Sequence, residues 1–412
     1  MRVLLSTYGS RGDVEPMAAL AVALRARGAE AVVCAPADPE FLRLLDRAGV
    51  PFAPAFMPVR PWIELARGAG WDLPRAAGEM AARQHEAIAA AVEGCDAIVA
   101  TGLFPSIAAA QAVAETRGLP YVWTAFCPII LPSPHHPPLA YPGHPLPAGE
   151  ADNQTLWARN DEAMDALFGA AVNGLRASLG LPVFDHVRDH VFTRCPWLAA
   201  DPMLGPWTPT EDLDVVQTGA WILPDDRPLP QGLEAFLGAG EPPVYVGFGS
   251  MALAGAGDAA GVAIEAARGH RRRVILASGW AGLAPVDARD DVFAVGDVNQ
   301  QALFPRVAAV VHHGGAGTTT AAARAGAPQV VVPQLADQPY WARRMAALDV
   351  GLAHDGSTPT VGSLSAALAS ALSVATRARA VQLAGRVRPD GAGLAAERLL
   401  ALVGATGPSR PA

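Results

Sequence analysis

The sequence predicts an α/β protein built from two tandem Rossmann-like, doubly wound domains. Three observations carry that prediction: the length of the chain, a strand–turn–helix–strand opening that occurs twice, and further unbroken apolar runs after each copy. At 412 residues the chain exceeds the size at which one hydrophobic core usually keeps growing. Hydrophobic residues make up 51% and charged residues 17%, a balance that suits packed cores and not disorder.

The first opening runs from the apolar Val3-Leu4-Leu5-Ser6 through a turn at Gly9-Ser10-Arg11-Gly12 into a helix expected over 15–27. Gly28 then ends it, ahead of a second strand at Ala31-Val32-Val33-Cys34. The second opening has the same order: Val244-Tyr245-Val246-Gly247, a turn at Gly249-Ser250, a helix through 259–267, Gly269, then Val274-Ile275-Leu276. Such a unit begins a parallel-sheet nucleotide-binding fold. Further runs at 97–100 and 121–123, and then at 292–295, 307–311 and 329–332, read as strands covered on both faces. The expected organisation is a first domain over 1–205, a linker over 206–232, a second domain over 233–390, and a C-terminal helix and tail over 391–412. Pro202, Pro206, Pro209, Pro224, Pro228 and Pro230 interrupt any helix at the junction. A second proline-rich stretch over 128–150 is expected to be a long, irregular loop inside the first domain, of the kind that is functional or disordered.

Composition removes several classes of function. A net charge of −8 argues against a nucleic-acid partner, which needs a basic surface. All 31 residues counted as Lys plus Arg are Arg, so there is no phosphate-loop lysine, Schiff-base lysine or kinase lysine. Heavy Ala, Gly, Pro and Arg usage is the composition of GC-rich genomes, actinobacterial ones among them. Cys34, Cys95, Cys127 and Cys195 form no CxxC pair and are expected to be buried, reduced thiols. The N-terminal apolar run is too short for a signal peptide or a membrane span, so a soluble cytoplasmic protein is expected.

The most informative segment is Val311-His312-His313-Gly314-Gly315-Ala316-Gly317-Thr318-Thr319-Thr320. An apolar strand runs into a small-residue turn and out into a helix, leaving backbone N–H groups at the helix start where a phosphate can bind. Glycines at 314, 315 and 317 let a diphosphate approach the backbone. Thr318 and Thr319 add hydroxyls, and His312 can donate to a phosphate oxygen. The bland alternative is a tight turn with structural histidines. Downstream, Val332-Pro333-Gln334-Leu335-Ala336-Asp337-Gln338-Pro339-Tyr340-Trp341 places an Asp-Gln pair just past a strand, where doubly wound sheets hold ligands. Side by side, a carboxylate and a carboxamide suit the vicinal hydroxyls of a sugar, although Asp337 could equally cap the next helix.

These two segments together resemble the donor-site signature of the GT-B inverting glycosyltransferases, in particular the bacterial natural-product branch. The opening Gly9-Ser10-Arg11-Gly12-Asp13-Val14-Glu15-Pro16 is similar to the glycopeptide-antibiotic, vancomycin-type enzymes, and sterol glucosyltransferases share the pattern. Residues 298–304, Val298-Asn299-Gln300-Gln301-Ala302-Leu303-Phe304, resemble the segment that holds the nucleotide base. The resemblance implies two domains facing a cleft, with transfer of a hexose or deoxyhexose from a dTDP- or UDP-sugar to a hydroxyl of a natural-product aglycone. It implies Asp13 as general base, with Ser10 and Gly12 shaping its turn at the edge of the donor set. Ser250, His312, Gly315, Gly317 and Thr318 would contact the diphosphate, Val298 the base, and Asp337 and Gln338 the sugar. Plant enzymes of the wider family carry a ribose-binding Glu near the place of Thr320, and its absence leaves the choice between dTDP and UDP open. The nucleotide sugar is a co-substrate, and no resident cofactor is implied.

A hydroxyl nucleophile needs a proton acceptor within reach, and a helix N-terminus would keep the Asp13 carboxylate ionised; its alternative is a mere helix cap. The leaving diphosphate can be stabilised by the helix start and His312, so no metal is expected. Asp212-Leu213-Asp214 matches a metal-binding DxD nominally but falls in the linker and reads as a solvated turn. His135, His136 and His144 lack carboxylate or cysteine partners and read as an acceptor-side loop. Trp62, Trp71 and Phe126 are candidates for stacking on a planar acceptor, with core packing the alternative. A lipid or sterol glucosyltransferase, a C-glycosyltransferase, a sugar-nucleotide epimerase and a non-catalytic helper of a partner enzyme remain the competing readings.

Overall fold

The computed structural model describes all residues except 67–70, 142, 148, 250–258, 280–282, 286, 288 and 407–412. The chain divides into two compact units, one of residues 1–200, 206–223 and 389–412, the other of 201–205 and 224–388. Strand and helix alternate through the first: β1 (Arg2–Tyr8), α1 (Arg11–Arg25), β2 (Glu30–Ala35), α2 (Pro39–Arg47), β3 (Phe52–Pro54), α3 (Val59–Ala66), α4 (Leu73–Ala91), β4 (Ala97–Gly102), α5 (Phe104–Arg117) and β5 (Tyr121–Ala125). After the proline-rich stretch come α6 (Asn153–Met164), α7 (Ala170–Ser178), α8 (Val187–Phe192), β6 (Trp197–Leu198) and β7 (Val216–Gln217). The seven strands lie in the order β3-β2-β1-β4-β5-β6-β7, every pair parallel. Val3, Leu4 and Leu5 of β1 have no exposed surface, which explains an apolar run without alternation: helices cover both faces of the sheet.

The second unit repeats the plan with α9 (Gln231–Gly238), β8 (Val244–Gly247), α10 (Ala259–Gly269), β9 (Val274–Ala277), β10 (Val292–Val295), α11 (Gln300–Leu303), β11 (Ala309–His312), α12 (Ala316–Arg324), β12 (Gln329–Val331), α13 (Gln338–Ala347), β13 (Gly351–Ala353), α14 (Val361–Ala371) and α15 (Val374–Ala384). Its six parallel strands are ordered β10-β9-β8-β11-β12-β13. Val244, Val246, Leu276, Val311 and Val330 belong to one buried cluster on this sheet, and Tyr245, Ile275 and Val310 to another. In each sheet the chain winds outward from a central strand and then crosses to its other side. The reversal falls between β1 and β4 in the first sheet and between β8 and β11 in the second. At such a point the outgoing connections diverge and leave a crevice beyond the strand carboxyl ends.

The strands expected from apolar runs are all present. β3, β6, β7 and β13 were not expected, because two or three residues are too few to make a readable run. Residues 206–223, expected as linker, contribute β7 to the first sheet, and the last helix, α16 (Gly391–Thr406), returns to the first unit. There Arg27 meets Glu397 at 2.7 Å, and a Cβ on Gly391 would strike the carbonyl carbon of Gly219 at 2.5 Å. The expected tail beyond 406 lies outside the described residues. Cys34, Cys95 and Cys127 are buried as expected, but Cys195 is exposed just ahead of β6. Among the described residues no single helix is long and apolar enough to cross a membrane.

One ion pair, buried at its arginine end, ties α5 to α7. The Arg176 side chain, 2% exposed, grips Glu115 with both terminal nitrogens at 2.9 and 2.8 Å, and Nε donates to the Pro182 carbonyl at 2.6 Å. Removing the arginine takes away a buried side chain and leaves the Pro182 carbonyl without its donor, so Arg176→Ala should cost about 1–3 kcal/mol of stability in a urea titration. A loss under about 1 kcal/mol would show that the pair is merely superficial.

Candidate active site

In the first unit the turn leaving β1 begins α1. Ser10 is the N-cap, with its Oγ accepting from the Gly12 N–H at 3.2 Å, and Asp13 is the third helical residue. The Asp13 Oδ2 accepts from the Ser10 N–H at 2.7 Å, completing a capping box. The helical cap considered as an alternative role for Asp13 therefore exists, and it fixes the carboxylate at the carboxyl end of the central strand. Half-buried Asp13 also sets the requirement at Gly9, where a Cβ would lie 2.6 Å from the Asp13 Cγ. No larger residue fits beside that carboxylate.

In the second unit the turn leaving β11 begins α12. Gly314, at φ 95°, takes a conformation that favours glycine, and Gly315 is an extended N-cap with no side chain to offer. The first helical bond runs from the Thr319 N–H to the Gly315 carbonyl at 3.0 Å, which leaves the Ala316, Gly317 and Thr318 amides without intrahelical acceptors. Gly317 is exposed, and among the described residues a Cβ there would meet nothing within 4 Å. Glycine inside a helix costs about 1 kcal/mol relative to alanine, so its use here suits close approach by something other than protein. The residues fit an anion at this helix start.

His312 does not stand where a phosphate contact needs it. It has no exposed surface, its Nδ1 accepts from the Gly314 N–H at 3.1 Å, and its Nε2 lies 2.9 Å from the Gln329 Oε1. The first contact makes Nε2 the protonated nitrogen, so both ring positions are spent on the fold, and burial lowers its pKa to about 3. Thr319 is likewise turned inward, its hydroxyl donating to the Gly315 carbonyl at 2.9 Å. The residue missed is His313. It is half-buried, burial lowers its pKa to about 4, and its Nδ1 has no hydrogen-bond partner among the described residues. Glycines bracket its ring: a Cβ on Gly249 would lie 2.9 Å from Cε1, and one on Gly315 2.7 Å from Nε2. The half-buried Thr318 follows in the first turn of α12, whereas Thr320 is buried, 6% exposed.

The turn leaving β12 carries the Asp-Gln pair. Asp337 occupies the N-cap position of α13 without capping it; its Oδ2 accepts from the Trp341 Nε1–H at 2.8 Å. Burial raises the Asp337 pKa, and the indole hydrogen bond opposes that. Gln338 is buried, and its Oε1 accepts from the Gln334 and Leu335 amides at 2.8 and 3.2 Å, which closes the turn on itself. Val298 is buried among Val295, Leu303 and Phe304, ahead of Asn299. Asn299 caps α11 and holds the Asp225 and Arg227 carbonyls at 2.9 and 2.8 Å. Ser250 lies outside the described residues.

The remaining candidates are placed elsewhere. Asp212 and Asp214 are exposed ahead of β7, at the amino end of a strand and not at the carboxyl ends where a doubly wound sheet holds its ligands. His136 packs edge-on against Trp157 at 5.9 Å, and His144 closes a turn onto Tyr141. Trp62 is core, edge-on to Tyr8, Phe56 and the half-buried Trp71, while Phe126 rests on Trp221. Asp161, Asp165 and His186 bring ligand-type atoms within 4.8 Å of one another, a grouping the sequence spacing hid; Asp161 there also pairs with Arg188 at 3.6 Å.

Two neutral histidines make the fold sensitive to acid. In the unfolded chain they titrate near pH ~6.5, so below that pH the unfolded state binds protons that the folded state refuses until about 3 to 4. Stability should therefore fall as the pH drops from 6.5 towards 4. Denaturant midpoints measured across that range should fall less steeply for His313→Asn; equal slopes would mean that His313 titrates normally.

Residues 3–126 match the glycosyltransferase family 28 N-terminal domain, and residues 283–393 match the C-terminal domain of the erythromycin biosynthesis protein CIII-like family. The glycosyltransferase GtfE of Amycolatopsis orientalis is 54% identical over 100% of both chains, and the vancomycin aglycone glucosyltransferase of the same organism is 50% identical over 97% of both. In fold, the chain is similar to the glycotransferase of kitacinnamycin, with a TM-score of 0.72 at 20% identity over 97% of this chain and 98% of that one. The glycosyltransferase VinC, solved with dTDP, gives 0.71 at 21% identity over 98% and 100%. With two parallel α/β units of this topology and relatives this similar over their whole length, the chain is a glycosyltransferase of the GT-B fold and belongs to the vancomycin-type family.

Proposed function

We propose that this enzyme transfers a hexose or deoxyhexose from a dTDP- or UDP-sugar to a hydroxyl of an antibiotic aglycone, inverting the anomeric centre and using no metal. The observation that carries the reading is the start of α12, where amides without intrahelical acceptors, the exposed Gly317 and an Nδ1 of His313 that has no partner among the described residues meet at the switch point of the second sheet. A diphosphate satisfies all of them together. The names of two relatives support the substrate class: one is a vancomycin aglycone glucosyltransferase, and another, 47% identical over 92% of both chains, is a dTDP-epi-vancosaminyltransferase.

In this reading the acceptor oxygen attacks the anomeric carbon while its C–O bond to the diphosphate breaks. The proton passes to the Asp13 carboxylate late, because a carboxylate is far less basic than an alkoxide. Charge that develops on the departing diphosphate falls on the amides of α12 and on a neutral His313 that donates from one nitrogen. Such oriented donors need no reorganisation during the reaction. His312 keeps the turn in shape from behind, and Asp337 takes hydroxyls of the sugar.

The purified protein should consume UDP- or dTDP-sugar only when an aglycone from a glycopeptide panel is present, and chelation with EDTA should leave the rate unchanged. Turnover of the donor without acceptor would favour an epimerase. Asp13→Asn should lower kcat by about 10²–10⁴-fold with donor binding retained, and near-full turnover would remove Asp13 from the chemistry. His313→Ala should raise the donor KM and lower kcat, each about tenfold or more, while His312→Ala should act chiefly by lowering the Tm.

A further inference from the structure

Trp341 is 1% exposed and one of the largest fully buried side chains in the protein. Its indole Nε1–H reaches Asp337 one helical turn back, at 2.8 Å, and takes up Oδ2. An indole offers one donor and no acceptor, so it matches a carboxylate and engages only one of its oxygens. The neighbouring residues also fix the turn. Gln338 clamps the Gln334 and Leu335 amides, and Ala336 sits at φ 54°, a left-handed conformation that a non-glycine residue keeps only where its surroundings impose it. Behind the indole, α13 packs on β12 and β13, so the donor hydrogen is set by the core and not by a mobile surface group.

We propose that Trp341 is a positioning residue for donor specificity: by holding Oδ2 it orients the Asp337 carboxylate so that Oδ1 receives the vicinal hydroxyls of a hexose donor. The inference rests on the reading that the second unit binds a nucleotide sugar. It makes the contribution of Trp341 depend on the hydroxyls the donor carries. A sugar that keeps both needs the fixed carboxylate, and a deoxygenated sugar that lacks them does not.

The test compares Trp341→Phe, which removes the N–H and keeps a ring, with wild type on two donors, a UDP- or dTDP-hexose and the dTDP-dideoxyhexose that lacks the two hydroxyls. With the hexose, the donor KM should rise about tenfold, equivalent to about 1.4 kcal/mol, with the acceptor KM unchanged. With the dideoxy donor, and in the Asp337→Asn background, the rise should stay under twofold. Equal increases for both donors, or an undiminished increase beside Asp337→Asn, would show that Trp341 only packs, and no increase at all would also overturn the proposal. Should Trp341→Phe fold poorly, 3-benzothienylalanine at 341 replaces the N–H by sulfur in the same shape, and the same outcomes apply. Wild-type protein that turns over neither donor would overturn the underlying reading and not the geometry at Trp341.

Discussion

A helix cannot satisfy the N–H groups of its own first turn, and the second unit is arranged around that fact at α12. Among the described residues, six helices meet the deficit with a side chain: Ser10 at α1, Asp72 at α4, Asp152 at α6, Asn299 at α11, Thr360 at α14 and Ser373 at α15 all accept from their first-turn amides. The N-cap of α12 is a glycine, which has none to give. The helix starts at the topological switch point of its sheet, so its uncapped end faces the place where a doubly wound fold leaves room for a ligand. Much else in the turn serves that geometry. His312 braces Gly314 from the sheet side, Thr319 folds its hydroxyl back onto Gly315, and glycines at 249 and 315 make the space in which the His313 ring stands.

The sequence showed the fold at the level of whole strands. Fully buried parallel strands need apolar side chains on both faces, and the runs at 3–6, 97–100, 244–247 and 329–332 are legible for that reason. Edge strands of two or three residues carry no such constraint, so β3, β7 and β13 left no trace, and β6, though paired on both sides, is only two residues long. The assignment of 206–223 to the first unit was hidden for a related reason. Its prolines break helices, but they say nothing about which sheet the backbone pairs with, and only the Trp197–Val216 register reveals it.

Within the candidate site, glycines and helix starts were legible and side-chain direction was not. Two adjacent histidines at the end of a strand are equivalent in a sequence, yet one belongs to the strand and the other to the turn. His312 continues the run 309–311 as the last residue of β11 and inherits its burial, while His313 is the first residue past the strand. The strand's own apolar run held the signal, since the residue directly attached to it shares the covered sheet. Gln338 was read for its chemistry as a sugar contact, but its carbonyl oxygen is taken by two backbone amides, a local closure that depends on the turn at Ala336 and leaves no pattern in composition.

Asp13 shows why a structural role and a chemical one need not compete. A capping carboxylate at the third helical position accepts from the N-cap amide and is held at the start of the helix. A general base must be ionised before the reaction and fixed in direction during it. The capping box supplies the second condition through Oδ2, with Gly9 keeping the space beside it open. Strengthening the cap further would lower the basicity of the carboxylate and, in the proposed reaction, weaken its pull on the acceptor proton. A neutral cap would remove that pull altogether. The same hydrogen bond that starts α1 therefore sets the position of the group at the end of β1, so the fold and the proposed chemistry depend on one contact.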